Sequence, residues 1–166
     1  LIVQVLYGTM FFSIYTTPHT SLKAAEWITK NIPSKSTILV EEWNSIVRLN
    51  ANSYQIFSFN FYSPDTVTKR TKLNESLKKA DYILLESPKV KNTIMKLKKT
   101  YPDTNIFYNN LENENLGFTR VMKFSSYPRI GNFILNDESA EETFTVFDHP
   151  TVTIYKNTRG ESTAAP

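Results

Sequence analysis

The stretch Ser36-Thr37-Ile38-Leu39-Val40-Glu41-Glu42-Trp43-Asn44 decides how the rest of the chain is interpreted. Its centre, Ile38 to Val40, is an uninterrupted apolar run, which is typical of a short strand buried on both faces. The run ends abruptly in two carboxylates, an indole and an amide. In sheets that are covered by helices on both faces, ligands bind just beyond the carboxyl ends of the strands. The end of this strand is therefore the first place at which we expect a site.

Apolar periodicity on both sides of this strand predicts alternating helices and strands. We expect helices over residues 20–32, 63–79 and 87–99, a helical turn over 112–116, and strands over 36–40, 55–62, 81–86, 104–108, 118–125, 130–135 and 151–156. Ser63-Pro64 and Ser87-Pro88 are typical helix starts, with serine at the cap and proline in the first turn. The alternation predicts an α/β fold of three layers, α/β/α and Rossmann-like, with a mostly parallel sheet and antiparallel C-terminal strands.

Composition excludes several classes of site. The chain of 166 residues has no cysteine, so disulfides and thiolate metal sites are excluded. It has four glycines and no phosphate-binding loop of the G-x-G-x-x-G or Walker type. The net charge of +3 is small, and the lysines fall on solvated faces and helix ends, so we expect no nucleic-acid partner.

The first 15 residues contain no charged side chain. They are shorter than the roughly 20 apolar residues that span a bilayer, but the run is cut off by the start of the sequence. We interpret residues 1–15 as the end of a transmembrane helix or an apolar lead-in; the alternative is a buried element of the domain. Residues 16–157 are expected to form a single α/β soluble domain, and residues 158–166, which lack apolar content, a disordered tail.

Four consecutive residues at the end of the first strand are candidate ligand-binding residues: Glu41, Glu42, Trp43 and Asn44. Neighbouring side chains on a strand point to opposite faces, so Glu41 and Glu42 cannot both enter one cleft. The indole of Trp43 offers a large flat surface on which a sugar ring can stack. The alternatives are a solvated strand end for the two carboxylates, and a Trp43 that packs on the end of the sheet.

Four further candidates lie in two rigid, proline-containing turns near the C-terminus: Tyr127, Arg129, Asp148 and His149. Arg129 has the geometry to bind a phosphate or carboxylate with two parallel hydrogen bonds. We favour the alternative, an ion pair of Arg129 with Glu41 or Asp148 inside the domain. Because the two histidines are distant in sequence and cysteine is absent, we predict no metal and no cofactor.

Three blocks of sequence, in this order, resemble one family. The first includes YTTPHT (15–20), AAEWI (24–28), NIP (31–33) and EEWN (41–44), and the second includes DYIL (81–84) and YP (101–102). The third includes GF (117–118), FSSYPRIG (124–131) and EETFTVFDHP (141–150), whose Tyr-Pro-Arg and Asp-His-Pro motifs are the most specific part. From about residue 15 to residue 156 the chain resembles the C-terminal soluble portion of bacterial and archaeal polytopic membrane proteins of the glycosyltransferase family 39 type. Those proteins are similar to protein O-mannosyltransferases and belong to the GT-C class.

The resemblance implies a domain that follows the last transmembrane helix and lies on the extracytoplasmic side of the membrane. The parent protein would transfer a sugar from a polyprenyl-phosphate donor to an acceptor. In that class the catalytic carboxylate lies in a loop near the first membrane spans, and no residue of this chain matches it, so no catalytic residue is carried over. The family's block after the first strand reads acid, His, Trp, acid, whereas this chain has Glu41, Glu42, Trp43 and Asn44, so no metal or proton-transfer role is carried over for it.

Three functions follow as hypotheses. The first is a non-catalytic domain of a membrane glycosyltransferase that aids recognition of the acceptor or the sugar. The second is a membrane-anchored carbohydrate-binding module that uses the aromatic strand end. The third is a small soluble enzyme that uses Glu41 or Glu42. The first two have the membrane and a glycan or glycosyl acceptor as partners.

Overall fold

The computed structural model describes residues 2–43, 46–138, 140, 142 and 144–160, without the side chains of residues 2, 3 and 144. Its helices are α1 (Ile2–Phe12), α2 (Thr20–Asn31), α3 (Val67–Lys79), α4 (Lys89–Lys96) and α5 (Pro102–Glu112). Its strands are β1 (Thr37–Glu41), β2 (Gln55–Phe59), β3 (Tyr82–Leu85), β4 (Phe118–Phe124), β5 (Arg129–Ile130), β6 (Phe133–Ile134) and β7 (Val152–Asn157). A short 3-10 turn at Ser13–Thr16 follows α1, and a π-helical turn at Phe144–Asp148 precedes β7.

Five strands form one mixed sheet in the order β2-β1-β3-β7-β4. β1 pairs in parallel with β2 and β3, whereas β7 runs antiparallel to both β3 and β4. The α/β class and the antiparallel C-terminal strands predicted from the sequence are confirmed. The strand order reverses between β1 and β3, so that the carboxyl ends of these two strands mark the point at which α/β sheets commonly bind ligands.

The sheet is buried on both faces, as the apolar run in β1 predicts. Leu39 and Ile83 lie in one core cluster with buried residues of α3, α4 and α5. Ile38 and Leu84 lie in a second cluster with buried residues of α2. Alternate residues of a strand point to opposite faces, which explains why neighbours in β1 and β3 belong to different clusters. The domain is therefore built of three layers.

The N-terminal helix α1 is mostly exposed, although its residues are apolar. Met10 and, just after the helix, Ile14 are buried, whereas Val5, Leu6 and Phe12 are exposed. None of the helices that the structure describes is both long enough and apolar enough to cross a bilayer. The membrane interpretation of residues 1–15 thus stays a prediction.

Residues 104–108, expected to form a strand, belong instead to helix α5. Pro102 occupies the first turn of the helix, where its missing N–H costs nothing. Thr104, Phe107 and Tyr108, and then Leu111, are buried at a spacing of three to four residues, which is a helical period. A short apolar run fits both the two-residue period of a strand and the 3.6-residue period of a helix. The burial pattern shows that the strand prediction was wrong. The helical turn expected at 112–116 is likewise wrong as placed, because α5 ends at Glu112.

Two other helices are shorter than expected. α3 begins at Val67, with Thr66 as its cap, so the cap predicted at Ser63 is wrong. α4 ends at Lys96 rather than Lys99. Helix α2 is confirmed. His19 caps its N-terminus through Nδ1, which accepts a hydrogen bond from the backbone N–H of Ser21 at 3.3 Å.

Residues 130–135 do not form one strand of the main sheet. They bend at Gly131, whose φ of +56° favours glycine, into the separate two-stranded β5–β6 hairpin. At the other end of the domain, the tail begins with ordered contacts. Arg159 donates from Nε to the carbonyl of Leu116 at 3.0 Å, and its guanidinium lies 4.7 Å from the ring centre of Phe118. Residues 161–166 lie outside the described residues, so disorder of the tail stays a prediction for them.

Candidate functional site

A polar cavity of about 250 Å³ lies on the α4/α5 side of the sheet, above the two C-terminal strands. β7 supplies Thr153 and Tyr155, and β4 supplies Arg120 and Lys123. Helices α4 and α5 stop short of these strands and line only one side, through residues such as Lys91 and Glu112. The other side consists of irregular chain between β4 and β7: Tyr127, Asp137, Glu138, Thr145 and His149.

A β-bulge in β4 brings two cations into this cavity. Arg120 lies opposite Tyr155 and Lys123 lies opposite Thr153, and the register shifts between them. On a regular strand, residues three apart would point to opposite faces. Because the bulge inserts one extra residue, Arg120 and Lys123 share the face of Tyr155 and Thr153. The bulge therefore places both positive charges on the face of the sheet that lines the cavity.

The most unusual feature of the cavity is a buried pair, Asp137 and His149. They are 6% and 4% exposed, and His149 Nε2 lies 3.3 Å from Asp137 Oδ2. The contact is longer than a good hydrogen bond, and neither oxygen of the Asp137 carboxylate nor His149 Nε2 has a hydrogen-bond partner among the described residues. Burial raises the pKa of Asp137, although the nearby His149 opposes that shift. Buried polar atoms are costly to leave without partners, and both residues belong to the lining of a cavity that is large enough to hold a small ligand.

Two of the three cations that line the cavity form ion pairs with carboxylates of the same lining. Lys123 Nζ lies 2.8 Å from Glu138 Oε1, which also accepts a hydrogen bond from the hydroxyl of Tyr127. Lys91 forms an ion pair with Glu112. Burial, with a contribution from Glu112, raises the pKa of Tyr155 to about 12, so that its hydroxyl is protonated at neutral pH. The three cations and three carboxylates of the lining balance when His149 is counted as neutral.

Two of the four candidates from the C-terminal turns, Tyr127 and His149, meet in this cavity. Asp148 is half-buried and accepts a hydrogen bond from the hydroxyl of Tyr15 at 2.7 Å. The Arg129 side chain is exposed and forms no ion pair with the described residues, and its backbone N–H donates to Ser13 Oγ at 2.9 Å. The expected ion pair of Arg129 with Glu41 or Asp148 was therefore wrong.

At the end of β1, Glu41 is buried rather than solvated. It is 1% exposed, and its Oε1 accepts a hydrogen bond of 2.6 Å from the hydroxyl of Tyr108 on α5. Burial, together with Glu41, raises the pKa of Tyr108 well above its usual value. The interpretation of Glu41 as a solvated strand end was wrong, and its carboxylate is closed off from solvent beneath α5. Glu42 is half-buried, and its backbone N–H continues the pairing with β2 by donating to Phe59 at 3.0 Å.

Trp43 is 76% exposed and has a left-handed backbone, with φ +68°. It does not pack on the end of the sheet, so the structural alternative for this residue was wrong. An exposed indole at the carboxyl end of a central strand remains compatible with stacking on a sugar. Asn44, the last candidate of this stretch, lies outside the described residues.

A second buried carboxylate, Glu86, follows β3 at the point where the strand order reverses. Its Oε2 accepts hydrogen bonds from the backbone N–H groups of Ile46 and of Val47, the latter at 2.6 Å. Burial raises its pKa to about 7, and the two backbone hydrogen bonds only partly oppose that shift. Glu86 lies on the α2 side of the sheet with Val47, whereas Glu41 lies on the α5 side. The two carboxylates therefore do not form an acid–base pair in one cleft.

Sequence reasoning missed Arg120, Lys123, Asp137 and Glu138. The two cations were hidden by the bulge, which breaks the regular alternation of β4. Asp137 and Glu138 belong to irregular chain that carries no periodic pattern. Among the described residues, no three histidine or carboxylate side chains are grouped so as to hold a metal ion.

Comparison of the chain with models of known protein families, with curated proteins and with solved structures gives no match.

Proposed function

We propose that this chain is a non-catalytic, extracytoplasmic domain of a membrane glycosyltransferase that uses a polyprenyl-phosphate sugar donor, and that its cavity recognises a sugar or a hydroxylated acceptor. The observation that carries the proposal is the buried Asp137–His149 pair of the cavity lining, whose polar atoms have no hydrogen-bond partner among the described residues. A hydroxyl group both donates and accepts, so one sugar hydroxyl can serve a carboxylate oxygen and a ring nitrogen.

The charges of the cavity favour a neutral ligand. A phosphate would meet Arg120 and Lys123, but also three carboxylates in the same lining. A neutral polyhydroxylated ring can hydrogen-bond to both signs of charge without a net electrostatic cost. The cavity is smaller than the roughly 300–1,000 Å³ typical of sites for drug-sized ligands, which suits a single sugar ring.

The resemblance to family 39 glycosyltransferases supports the same location. Its two most specific motifs, Tyr127-Pro128-Arg129 and Asp148-His149-Pro150, each contribute one residue to the cavity. Helix α1, with its uncharged and largely exposed surface, precedes the domain as the end of a membrane helix would. Glu41 is buried under Tyr108, which fits a domain that does not itself make or break the glycosidic bond.

The test is a titration of the chain with methyl glycosides of mannose, glucose and galactose, followed by amide chemical shifts in NMR. We expect saturable shifts at residues that line the cavity. Asp137→Asn should lower the affinity at least about tenfold, because a hydrogen bond to a charged group contributes roughly 1.5–3 kcal/mol. The control Asp103→Asn, an exposed carboxylate of α5, should leave the affinity unchanged. Equal effects of the two variants, or no saturable shift with any glycoside, would contradict the proposal.

The exposure of Trp43 favours the second candidate, a membrane-anchored carbohydrate-binding module that stacks a sugar on this indole. Trp43→Ala separates the two candidates in the same titration. Loss of binding in Trp43→Ala, with binding retained in Asp137→Asn, would identify the strand end as the site. Turnover of a polyprenyl-phosphate sugar by the isolated chain would contradict a non-catalytic role.

A further inference from the structure

An apolar surface lies where the β5–β6 hairpin packs beside the end of α1. We call it the hairpin surface and define it by five exposed side chains: Phe12, Tyr15, Ile130, Phe133 and Ile134. The two segments are joined by the hydrogen bond from the Arg129 backbone to Ser13. Phe133 and Ile134 are 63% and 58% exposed, although both are large apolar residues on the short strand β6. Several large apolar side chains exposed on neighbouring segments are typical of an interaction site.

The segments that supply the hairpin surface carry one charge of their own, and a second charge lies against it, the Asp148 carboxylate that binds the Tyr15 hydroxyl. Residues 1–17 and 125–136, which supply all of it, contain a single charged residue, Arg129. Its guanidinium is exposed and forms no ion pair with any described residue. A planar guanidinium of this kind binds phosphate oxygens through paired hydrogen bonds. An apolar surface that carries one free arginine is thus complementary to the boundary between lipid tails and phosphate headgroups.

We infer that the hairpin surface lies in the headgroup region of a phospholipid bilayer, with Arg129 on a lipid phosphate. The inference rests on the proposed function in one respect, namely that α1 leads out of the membrane. The aromatic residues Phe12, Tyr15 and Phe133 are of the kind that concentrates at bilayer interfaces. The hairpin would then be a second contact with lipid, and would fix the orientation of the domain on the membrane.

The first test is co-sedimentation with vesicles of phosphatidylcholine alone and of an equal mixture with phosphatidylglycerol. The double variant Phe133→Ser/Ile134→Ser should bind both kinds of vesicle about tenfold more weakly, because two large apolar side chains lose their burial in lipid. The matched control is Val67→Ser/Ile106→Ser, which removes two comparably exposed apolar side chains from α3 and α5. It should bind as the unchanged chain does.

Arg129→Gln should weaken binding to the phosphatidylglycerol mixture by about fivefold, since each basic residue near an anionic surface contributes roughly 1 kcal/mol. Lys72→Gln, an exposed lysine of α3, is the control and should have no effect. An equal loss in both variants would overturn the role of Arg129.

A second test measures depth directly and uses the absence of cysteine from the chain. A polarity-sensitive fluorophore on Asn132→Cys, in the hairpin turn, should shift to the blue when vesicles are added, whereas the same label on Lys72→Cys should not. Absence of that difference would overturn the inference, as would a hairpin variant that changes the oligomeric state and leaves vesicle binding intact. Glycoside binding in the hairpin variants is measured separately, so that failure of the membrane contact and failure of the sugar site are told apart.

Discussion

Glu86 accepts backbone hydrogen bonds from the irregular connection between β1 and β2. The connection between the parallel strands β1 and β2 contains no helix among its described residues, and irregular chain that is pressed against a sheet leaves backbone N–H groups without partners. The carboxylate of Glu86 accepts from two of them, at Ile46 and Val47. At 2% exposure, it does so at the expense of its own hydration, which is why its pKa is raised to about 7.

Glu86→Gln should therefore change how stability depends on pH. Between pH 4.5, the usual pKa of the group, and about 7, the folded protein retains a proton that the unfolded chain releases. The free energy of unfolding falls as the pH rises through this window, by about 3 kcal/mol for this group, and then levels off. Urea unfolding at pH 5 and pH 8 should show that the variant lacks this fall. The exposed control Glu75→Gln should keep it, and an unchanged pH dependence in Glu86→Gln would contradict the assignment.

Single residues are also where prediction from sequence was weakest. Glu41 and Glu42 were recognised as candidates, but nothing in their neighbourhood indicates that Tyr108, distant in the chain, closes over Glu41. His149 was recognised without its partner Asp137, because the loop that carries Asp137 has no periodicity. The types of residue at a site can be read from the chain, whereas their partners depend on long-range packing.

Among the secondary-structure elements, α3 is attached to its neighbours by one buried cation. Lys69 Nζ lies within 2.8 Å of four oxygens, the carbonyls of Phe61 and Ser63, the Asp65 carboxylate and the Thr104 hydroxyl, which share its three N–H donors. This group joins the chain after β2, the start of α3 and the start of α5. Burial alone would raise the pKa of Asp65, but the hydrogen bonds from Lys69 and Thr104 outweigh burial and lower it.

Lys69→Met should destabilise the domain by about 3–5 kcal/mol, because it leaves the Asp65 carboxylate buried without its cation. The control Lys72→Met, on the exposed side of α3, should change the free energy of unfolding by less than about 0.5 kcal/mol. Adding Asp65→Asn to Lys69→Met should recover part of the loss, since the uncompensated charge is then removed. If the double variant were no more stable than Lys69→Met, a packing role for Lys69 would replace the electrostatic one. Urea unfolding measures all three variants.

Most elements were predictable because their apolar periods are regular. β1, β3, β7 and α2 have clear patterns and were identified, and the sheet class followed from their alternation. Helix α5 was not identified, because the apolar residues at 104–108 fit both a strand period and a helix period. Only the burial of Leu111 in the structure distinguishes the two. The bulge in β4 and the bend at Gly131 each interrupt a pattern by one or two residues, too briefly to be recognised from one sequence.

In the molecule as a whole, the end of α1 and the cavity are in contact. The ring of Phe11 meets the ring of His149 edge to face, with their centres 6.0 Å apart. One turn further on, the hydroxyl of Tyr15 donates a hydrogen bond to Asp148, the residue before His149. The helix that we propose to leave the membrane therefore touches a residue of the proposed sugar site.

Phe11→Ala should weaken glycoside binding by about fivefold, because an edge-to-face aromatic contact contributes roughly 0.5–1.5 kcal/mol and fixes the orientation of the His149 ring. Phe12→Ala is the matched control, since the adjacent Phe12 is exposed. It should leave the NMR titration unchanged. An equal effect of the two variants would show that α1 acts on the cavity only through general stability.

The position of β7 has a consequence for how the protein is made. This strand leaves the ribosome after all the others that the structure describes, yet it is the middle partner between β3 and β4. Until it emerges, the three parallel strands and β4 have no bonded connection in the sheet, and their open edges can pair with other chains. A chain that ends before Val152 would therefore lack the strand that joins β4 to the rest of the sheet. Aggregation of the nascent chain is therefore expected to be most favourable before β7 has been synthesised.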